Sequence, residues 1–566
     1  MKIGIVILAR NSSSRLPGKI LKPIMGKPII EYIIERLLCV LDRQNIIVAT
    51  STQTDDDLLE YYCTQHNIDC YRGDLNNVSL RFLNASKKKK FDYTIRINGD
   101  NLFVDIPTLK EMISLIDNNY EFITNVKNRT FPKGMSIEII KTDIYEKLYT
   151  QFKTSAEFEH VTKFIYDNEN KINFFLFENK ICPEASKLQM AIDTEYDYRL
   201  ASKIIKSFKQ EHIEYNLKDI FKKFQFHKKT MSFVGKYGPL LIAEIGGNHE
   251  GDFEYAKKLT KLAIESDADY IKFQVYSGDT LVNPLLSPNR NKHFKKFELS
   301  KEQYIELAEM VEKSGKKFMA SIWEASMFDW LDQYMPVYKV GSGDLQALPL
   351  LKKMAEKNKP IILSTGLATE EEVLETIEFI QGVNTLYKDK NYLSILQCTS
   401  MYPIPFSASN LSVIMRLKSL TDLTIGYSDH TEGYQALFYS VAMGAEVLEF
   451  HFTDSRDNKK FRDHKVSLTK DEVKLLIQNI KDINELSGDL IKKPTTIEKL
   501  NGHISSFRRG IFLNKDIPQG HIISEEDLII LRPHEGISSK YFYKLIGKQA
   551  KVNLTKYNKL EWSDFQ

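Results

Sequence analysis

Eight apolar segments, most of them followed by an amphipathic helical stretch, constrain the fold of this chain more than any other feature. They lie at residues 240–246, 270–275, 316–323, 337–342, 360–366, 393–400, 423–430 and 447–453. Each has the length of a β-strand, and the helical stretches between them favour parallel pairing through crossover connections. Eight such units in roughly 260 residues predict a closed (β/α)8 barrel of the TIM type, in which the chemistry belongs at the carboxyl ends of the strands.

The last two of these strands predict a metal site. The segments IGYSDHT (425–431) and VLEFHFT (447–453) end in polar residues, and residues 433–443 between them suit one crossover helix. Parallel pairing therefore brings His430 and His451 to one edge of the sheet, and strand alternation turns Glu449 to the same face as His451. Two imidazoles and a carboxylate could hold a divalent cation. The alternative is a set of unrelated polar residues at strand ends.

Charged and polar side chains recur at the other strand ends. They are Glu244, Asn248, Lys272, Gln274, Lys339, Ser342, Ser364, Thr365, Thr399, Ser400 and Asp429. A barrel without a function would more readily place apolar residues there, so this edge is predicted to be the active site.

Composition narrows the class of protein. The chain has 566 residues, 42% of them hydrophobic and 27% charged, with a formal net charge of +3. This length exceeds a single hydrophobic core and predicts several domains, and the charge gives no reason to expect a nucleic-acid or membrane partner. Five cysteines without a CxxC pair suit a reducing compartment, and the apolar run at residues 3–9 is too short for a signal peptide. We therefore expect a cytoplasmic protein.

The first residues predict a phosphate-binding loop. Residues 2–8 (KIGIVIL) predict a buried strand, followed by a loop of small and basic residues at 9–19 and an amphipathic helix at 28–39. The loop backbone from Ala9 onward, together with Arg10, Arg15 and Lys19, could hold a polyphosphate. The alternative is a surface turn with incidental charges.

The run ARNSSSRLPGK (9–19) resembles the N-terminal signature of sugar-acid cytidylyltransferases, closest to the 3-deoxy-manno-octulosonate cytidylyltransferase-like proteins of the spore-coat polysaccharide type. The segments RINGD (96–100), GMSIE (134–138), EHVT (159–162) and AIDT (191–194) extend the resemblance over residues 1–228. It implies a Rossmann-like α/β nucleotidyltransferase domain that binds CTP through Arg15 and Lys19, and Mg²⁺ through Asp100 and Asp193. The activated sugar stays open, because the loop differs from that of dedicated sialic-acid activating enzymes. The nucleotide stays open as well, because the spore-coat-type members are a mixed group.

Seven motifs of the barrel segment resemble the sialic acid synthase family in order and spacing. They are EIGGNHEG (244–251), KFQ (272–274), KVGSGD (339–344), ILSTG (362–366), CTSMYPIP (398–405), GYSDHT (426–431) and EFHFT (449–453). The resemblance, over residues 232–495, implies condensation of phosphoenolpyruvate with an N-acylated hexosamine, with Mn²⁺ or Mg²⁺ on His430 and His451. EIGGNHEG is nearer the sialic and legionaminic branches than the pseudaminic one, which favours N-acetylmannosamine or its 2,4-diacetamido-6-deoxy relative.

The same resemblance implies roles for individual residues. Those implied as catalytic are Glu244, Lys272, Glu449 and Asp463. Those implied to bind substrate are Gln274, Lys339, Ser342, Ser364, Thr399, Ser400, Tyr402, Ser428 and Asp429. Two departures stand out: Gln397 occupies a position that is often His, and Phe461 and Arg462 replace a Gly-Pro pair before Asp463. We therefore expect a loop around Asp463 that is reshaped for a different sugar.

The end of the chain predicts a third, small domain. Polar residues 491–503 predict a linker, and residues 500–566 resemble the antifreeze-like (SAF) domain that ends sialic acid synthases. This implies a β-clip-like domain that reaches over the partner's barrel in a domain-exchanged homodimer, with Arg532 hydrogen-bonding the N-acyl group of the sugar. The alternative for Arg532 is a surface residue beside a proline turn.

These resemblances predict a bifunctional enzyme of nonulosonic acid biosynthesis. The barrel would make the nine-carbon acid, and the N-terminal domain would couple it to CMP. The predicted partners are small molecules: phosphoenolpyruvate, an N-acylated hexosamine and CTP. In one alternative the N-terminal domain transfers another nucleotide or sugar. In the other it is an inactive assembly module, against which the retention of Arg15, Lys19, Asp100 and Asp193 argues.

Overall fold

The computed structural model describes residues 1–13, 15–488 and 491–566. Ser14 of the predicted phosphate loop, and Asp489 and Leu490 near the end of the predicted barrel domain, lie outside the described residues. Separate clusters of buried apolar side chains occupy residues 5–231, 233–480 and 511–565. Within the described ranges, no helix is both long and apolar enough to cross a membrane.

The N-terminal part is a mixed α/β sheet flanked by helices. Its strands are β1 (Ile3–Leu8), β2 (Pro23–Ile24), β3 (Lys27–Pro28), β4 (Ile46–Ser51), β5 (Asp69–Gly73), β6 (Tyr93–Asn98), β7 (Phe122–Thr124), β8 (Glu138–Lys141) and β9 (Phe174–Leu176). Its helices are α1 (Ile29–Leu38), α2 (Asp57–Gln65), α3 (Val78–Lys89), α4 (Ile106–Ser114), α5 (Thr142–Tyr149), α6 (Ser155–Glu159), α7 (Lys163–Asp167), α8 (Glu195–Ser207) and α9 (Leu217–Lys229).

Seven of these strands form one sheet in the order β5-β4-β1-β6-β8-β7-β9, and β2 pairs with β3 as a separate ribbon. The pairs β5–β4, β4–β1 and β1–β6 are parallel, whereas β8 runs antiparallel to β6. The loop after β1 and the end of β6 therefore meet at one carboxyl edge, where open α/β sheets bind their ligands.

The central part is the predicted barrel. Its strands are β10 (Val234–Gly235), β11 (Gly238–Glu244), β12 (Tyr270–Val275), β13 (Lys317–Ile322), β14 (Tyr338–Val340), β15 (Ile361–Ser364), β16 (Leu393–Cys398), β17 (Thr424–Asp429) and β18 (Val447–His451). Its helices are α10 (Phe253–Glu265), α11 (Gly278–Leu281), α12 (Pro288–Phe297), α13 (Lys301–Lys313), α14 (Phe328–Leu331), α15 (Leu348–Glu356), α16 (Glu370–Val383), α17 (Ser412–Leu420), α18 (Gln435–Ala442), α19 (Asp463–Val466) and α20 (Lys470–Ser487).

Strands β11 to β18 pair in parallel with their neighbours in sequence, and β11 also pairs with β18, which closes the barrel. All eight predicted strands are confirmed. The amino-terminal end of this barrel faces the N-terminal part: Phe233 joins an inward-facing cluster with residues such as Leu240, Tyr270 and Val447. The ammonium of Lys203, on α8, lies 3.4 Å from the side-chain oxygen of Asn391, just before β16.

The last part is small and has its own core. It comprises α21 (Thr496–Leu500), α22 (His503–Ser506), β19 (Gly510–Leu513), β20 (Leu528–Leu531) and α23 (Phe542–Leu545). Strands β19 and β20 form an antiparallel pair, and isolated bridges such as Ile517–Leu554 tie the remaining turns together. Part of the stretch predicted as a linker is thus helical, because Thr495 and Glu498 form a capping box that starts α21.

Candidate active sites

A cavity of about 1290 Å³ opens at the carboxyl end of the barrel, where the sequence predicted the active site. The predicted residues that line it are Glu244, Lys272, Gln274, Lys339, Ser342, Ser364, Ser400, Tyr402, Ser428, His430, Glu449, His451 and Asp463. They converge because parallel pairing puts equivalent strand positions side by side: Glu244 is in register with Lys272 on one neighbouring strand and with His451 on the other.

Glu449 is the centre of a buried charge cluster in this cavity. Its two carboxylate oxygens lie 3.2 Å from the ammonium of Lys272 and 3.3 Å from that of Lys339. Lys272 also pairs with Glu244, and the hydroxyl of Ser428 donates to Glu449 at 2.8 Å. The two lysines and two glutamates are all buried. Their two positive and two negative formal charges cancel, so the cluster is formally neutral before any substrate enters.

The protonation states follow from burial and from these pairs. Burial opposes the charge on Glu449, but Lys339 and Lys272 overcome it and hold the pKa of its carboxyl far below the usual range. Burial lowers the pKa of Lys272 to about 8, against the attraction of Glu449. Lys339 donates to the hydroxyl of Ser364 at 2.7 Å. The cluster therefore presents two aligned ammonium groups to an anion.

His430 and His451 lie side by side at the cavity wall, with ring centroids 5.4 Å apart. Nδ1 of His430 lies 2.8 Å from the carbonyl oxygen of Thr399, which can only accept, so Nδ1 carries the proton and Nε2 keeps its lone pair. Nδ1 of His451 is buried and has no hydrogen-bond partner among the described residues. Burial lowers the pKa of both imidazoles, which favours the neutral, metal-binding form.

These imidazoles fit a divalent cation by donor chemistry. In the described ranges no group of three or more His, Cys, Asp or Glu side chains is arranged to hold a metal ion. A catalytic metal, however, leaves coordination positions to substrate and water. The nearest carboxylate is that of Asp463, with an oxygen 4.0 Å from Nδ1 of His451.

Two predicted residues support the cavity from behind. Asp429 accepts hydrogen bonds from the hydroxyl of Tyr427 at 3.0 Å and from the backbone amide of Thr431 at 2.9 Å. The hydroxyl of Thr399 donates to the carbonyl of Ala408 at 2.8 Å. Neither residue lines the cavity, and both support the loops that carry His430, so their substrate contacts stay predictions.

Arg532 lies on the C-terminal part, where it is exposed. Its guanidinium sits 5.5 Å from the centroid of the Phe507 ring. The described residues that line the barrel cavity all belong to residues 244–463 of the chain, so this chain does not bring Arg532 to its own barrel. A role for Arg532 at a partner's barrel stays a prediction.

Sequence reasoning missed part of the wall. Ser321 is buried, lines the cavity and is in register with Gln274 on one side and Lys339 on the other. Its position at the carboxyl end of an apolar strand was the signal that could have identified it. The aromatic wall formed by Phe294 and Phe297 comes from α12, in a connection that carried no recognisable motif.

The second site is a cavity of about 260 Å³ at the carboxyl edge of the N-terminal sheet. The predicted residues Ala9, Arg10, Arg15, Lys19 and Asp100 line it. The wall is completed by residues that were not predicted as site residues, namely Leu8, Ser13, Ile20, Asn98 and Gly99. The cavity combines loop backbone, three cations and one carboxylate, which is the mixture that a nucleoside triphosphate with its cation requires.

Asp193 joins this site through the cations. Its carboxylate lies 2.9 Å from the guanidinium of Arg15 and 3.3 Å from the ammonium of Lys19. Lys19 also lies 3.2 Å from Asp100. Mg²⁺ prefers oxygen ligands and keeps several waters, so these two carboxylates fit Mg²⁺ by donor chemistry.

The similarities to known proteins fall on all three parts of the chain. A model described as the NeuB family matches residues 259–492, a cytidylyltransferase model matches residues 4–223 and a SAF domain model matches residues 508–566. These matches confirm the three resemblances predicted from the sequence.

Individual relatives are similar over the second half of the chain. The N,N'-diacetyllegionaminic acid synthase of Campylobacter jejuni is 36% identical over 330 residues, which are 56% of this chain and 96% of that protein. The N-acetylneuraminate-9-phosphate synthase of Homo sapiens is 30% identical over 334 residues, covering 56% and 90%. The crystal structure of a putative spore coat polysaccharide biosynthesis protein E from Chromobacterium violaceum has a TM-score of 0.50 at 22% identity, covering 57% of this chain and 98% of that chain, which supports the fold.

Proposed function

The chain belongs to the NeuB family, and on that premise we propose that its barrel joins phosphoenolpyruvate to N-acetylmannosamine or a 2,4-diacetamido-6-deoxy analogue. The family and the cytidylyltransferase segment make it an enzyme that combines a phosphoenolpyruvate-using synthase with a nucleotidyltransferase, in nonulosonic acid biosynthesis. The observation that carries the substrate proposal is the buried pair Lys272 and Lys339, aligned by Glu449 next to two neutral imidazoles.

The residues support a direct mechanism. Lys272 and Lys339 bind the phosphate and carboxylate of phosphoenolpyruvate, with Ser342 and Ser364 as hydrogen-bond partners. His430 and His451 would hold a divalent cation, which supplies polarisation of the aldehyde oxygen of the open-chain sugar. The methylene carbon of phosphoenolpyruvate forms the new carbon–carbon bond to the aldehyde carbon, whose oxygen gains a proton. Water then adds to the former enol carbon, and phosphate leaves by cleavage of its carbon–oxygen bond.

The acidic side chains have separate tasks in this proposal. Glu244 and Asp463 face the sugar and orient its hydroxyls. Glu449 stays ionised between the two lysines and is therefore a counter-ion that aligns them, rather than a proton donor.

For the N-terminal domain we propose transfer of CMP from CTP to the acid made by the barrel. Arg15 and Lys19 would hold the triphosphate, and Asp100 and Asp193 would hold Mg²⁺, which supplies charge stabilisation at the α-phosphate. The anomeric hydroxyl of the acid bonds to the α-phosphorus, and pyrophosphate leaves. The ion pairs of Asp193 with Arg15 and Lys19 favour an active nucleotide site over an inert assembly module.

The test measures both products on the full chain. Phosphate release from phosphoenolpyruvate should require an N-acylated mannosamine, and pyrophosphate release from CTP should require the purified acid. Lys339→Met should lose phosphate release, whereas Lys352→Met, an exposed lysine on α15, should keep it. A clear preference for the pseudaminic precursor over the two favoured sugars would contradict the substrate proposal.

A further inference from the structure

The first turn of α8 holds the segment that follows the nucleotide loop. A carboxylate oxygen of Glu195 lies 2.9 Å from the ammonium of Lys22, and the hydroxyl of Tyr198 donates to the carbonyl of Pro23. The same ammonium lies 4.6 Å from the centroid of the Tyr198 ring. Lys22 stands three residues after Lys19 in the chain. This contact therefore lies beside the nucleotide pocket without forming part of its wall.

The barrel stands directly behind this contact. Gly238 begins β11 with a φ of 110°, and a Cβ there would lie 3.0 Å from the guanidinium of Arg199 and 3.3 Å from Cγ of Glu195. Arg199 donates to Glu195 at 3.2 Å. A small cavity of about 20 Å³ separates the two sides, and it is lined by Arg15, Leu16, Pro17, Lys22 and Glu195 from the N-terminal part and by Tyr237, Lys481, Asn484 and Glu485 from the barrel.

We propose that Glu195 is a positioning residue for the nucleotide site and that the barrel is its back wall. Glu195 follows Asp193 by two residues, so its bond to Lys22 fixes the loop that carries Lys19 against the segment before α8 that carries Asp193. Only 10% of the Glu195 side chain and 21% of the Lys22 side chain are exposed. At this burial an unpaired charge is strongly unfavourable, so the carboxylate of Glu195 and the ammonium of Lys22 stay in contact. The inference rests on the proposed binding of CTP by this domain.

The experiment titrates the full chain with CTP in the presence of MgCl₂ by calorimetry and measures phosphate release from phosphoenolpyruvate in parallel. Glu195→Gln should weaken CTP binding by about 10- to 100-fold, because the charge of Lys22 loses its buried partner. Lys22→Met should weaken it to a similar extent, and the double variant should be no worse than either single one, because both changes break the same contact. Phosphate release should stay within about twofold, since the barrel cavity lies at the other end of its strands.

The reversed pair Lys22→Glu with Glu195→Lys separates positioning from simple loss of structure. It is made in an Arg199→Gln background, because Arg199 also pairs with Glu195 and would repel a lysine there. It should recover CTP affinity to within about tenfold of Arg199→Gln alone if the contact itself matters. Glu111→Gln, an exposed carboxylate on α4, serves as the matched control and should bind CTP normally. Equal CTP affinity in wild type and Glu195→Gln, or additive losses in the double variant without recovery in the reversed pair, would overturn the inference. Absence of CTP binding in the wild type would instead overturn the proposed function of the domain.

Discussion

Replacing Glu449 by Gln should destabilise the barrel and weaken phosphoenolpyruvate binding together. The change keeps the shape of the side chain and its bond to Ser428, but removes the charge that lies 3.2 Å from Lys272 and 3.3 Å from Lys339. At an effective dielectric of about 20, each attraction amounts to about 5 kcal/mol before desolvation. Measured losses from breaking buried pairs are about 3–5 kcal/mol, and Lys272 retains Glu244, so we expect about 3 kcal/mol.

Scanning calorimetry with and without phosphoenolpyruvate measures this effect. A loss of about 3 kcal/mol should lower the transition of the barrel by roughly 6–10 °C. The same concentration of phosphoenolpyruvate should raise the transition of the variant less than that of wild type, because stabilisation by a ligand decreases as its binding weakens. Glu432→Gln, an exposed carboxylate at the same end of the barrel, is the control. Unchanged transition temperature and unchanged KM for phosphoenolpyruvate in Glu449→Gln would refute the reasoning.

Four further predictions use separate readouts. His430→Ala and His451→Ala should each lower phosphate release by about 100-fold or more, and chelation followed by metal add-back should restore wild type but neither variant. Asp100→Asn should abolish pyrophosphate release from CTP and leave phosphate release near wild type, because the two cavities belong to different domains. The KM for phosphoenolpyruvate should rise above pH 8, because the lowered pKa of Lys272, about 8, means that its positive charge is lost as the pH passes that value. Arg532→Ala should weaken use of the sugar, and co-expression with the His430→Ala, His451→Ala double variant should restore part of the activity if Arg532 serves the partner's barrel.

The strands of the barrel could be predicted because they are buried on both faces and therefore appear as continuous apolar runs. The residues that line the cavity could be predicted less completely than the strands, because side chains at a strand end alternate between two faces. Ser428 and His430 point into the cavity, whereas Asp429 between them binds Tyr427 and Thr431. Motif similarity names all three residues equally, and only alternation separates them.

Contacts between segments that are distant in the chain could not be predicted, because no local sequence pattern indicates them. The pair of Glu195 with Lys22 joins residues far apart in sequence, and neither lies in a recognised motif position. The aromatic residues Phe294 and Phe297 reach the cavity because α12 folds over its mouth, which depends on packing of a long connection rather than on periodicity. The position of Arg532 relative to a barrel depends on how the C-terminal part packs against that barrel. The residues around Arg532 predict only the proline turn beside it.

The arrangement of the parts also bears on how the two proposed reactions connect. The N-terminal part contacts the amino-terminal end of the barrel, where Phe233 joins the innermost layer of side chains and Lys203 reaches Asn391. The synthase cavity opens at the opposite end, and strands of six residues separate the two ends by about 20 Å of packed interior. An acid formed in the cavity must therefore leave through the open mouth and pass through solvent to reach the nucleotide pocket of the same chain. Joining the two domains in one chain therefore does not provide direct transfer of the intermediate. It provides the contact in which the start of β11 and α20 support the nucleotide loop.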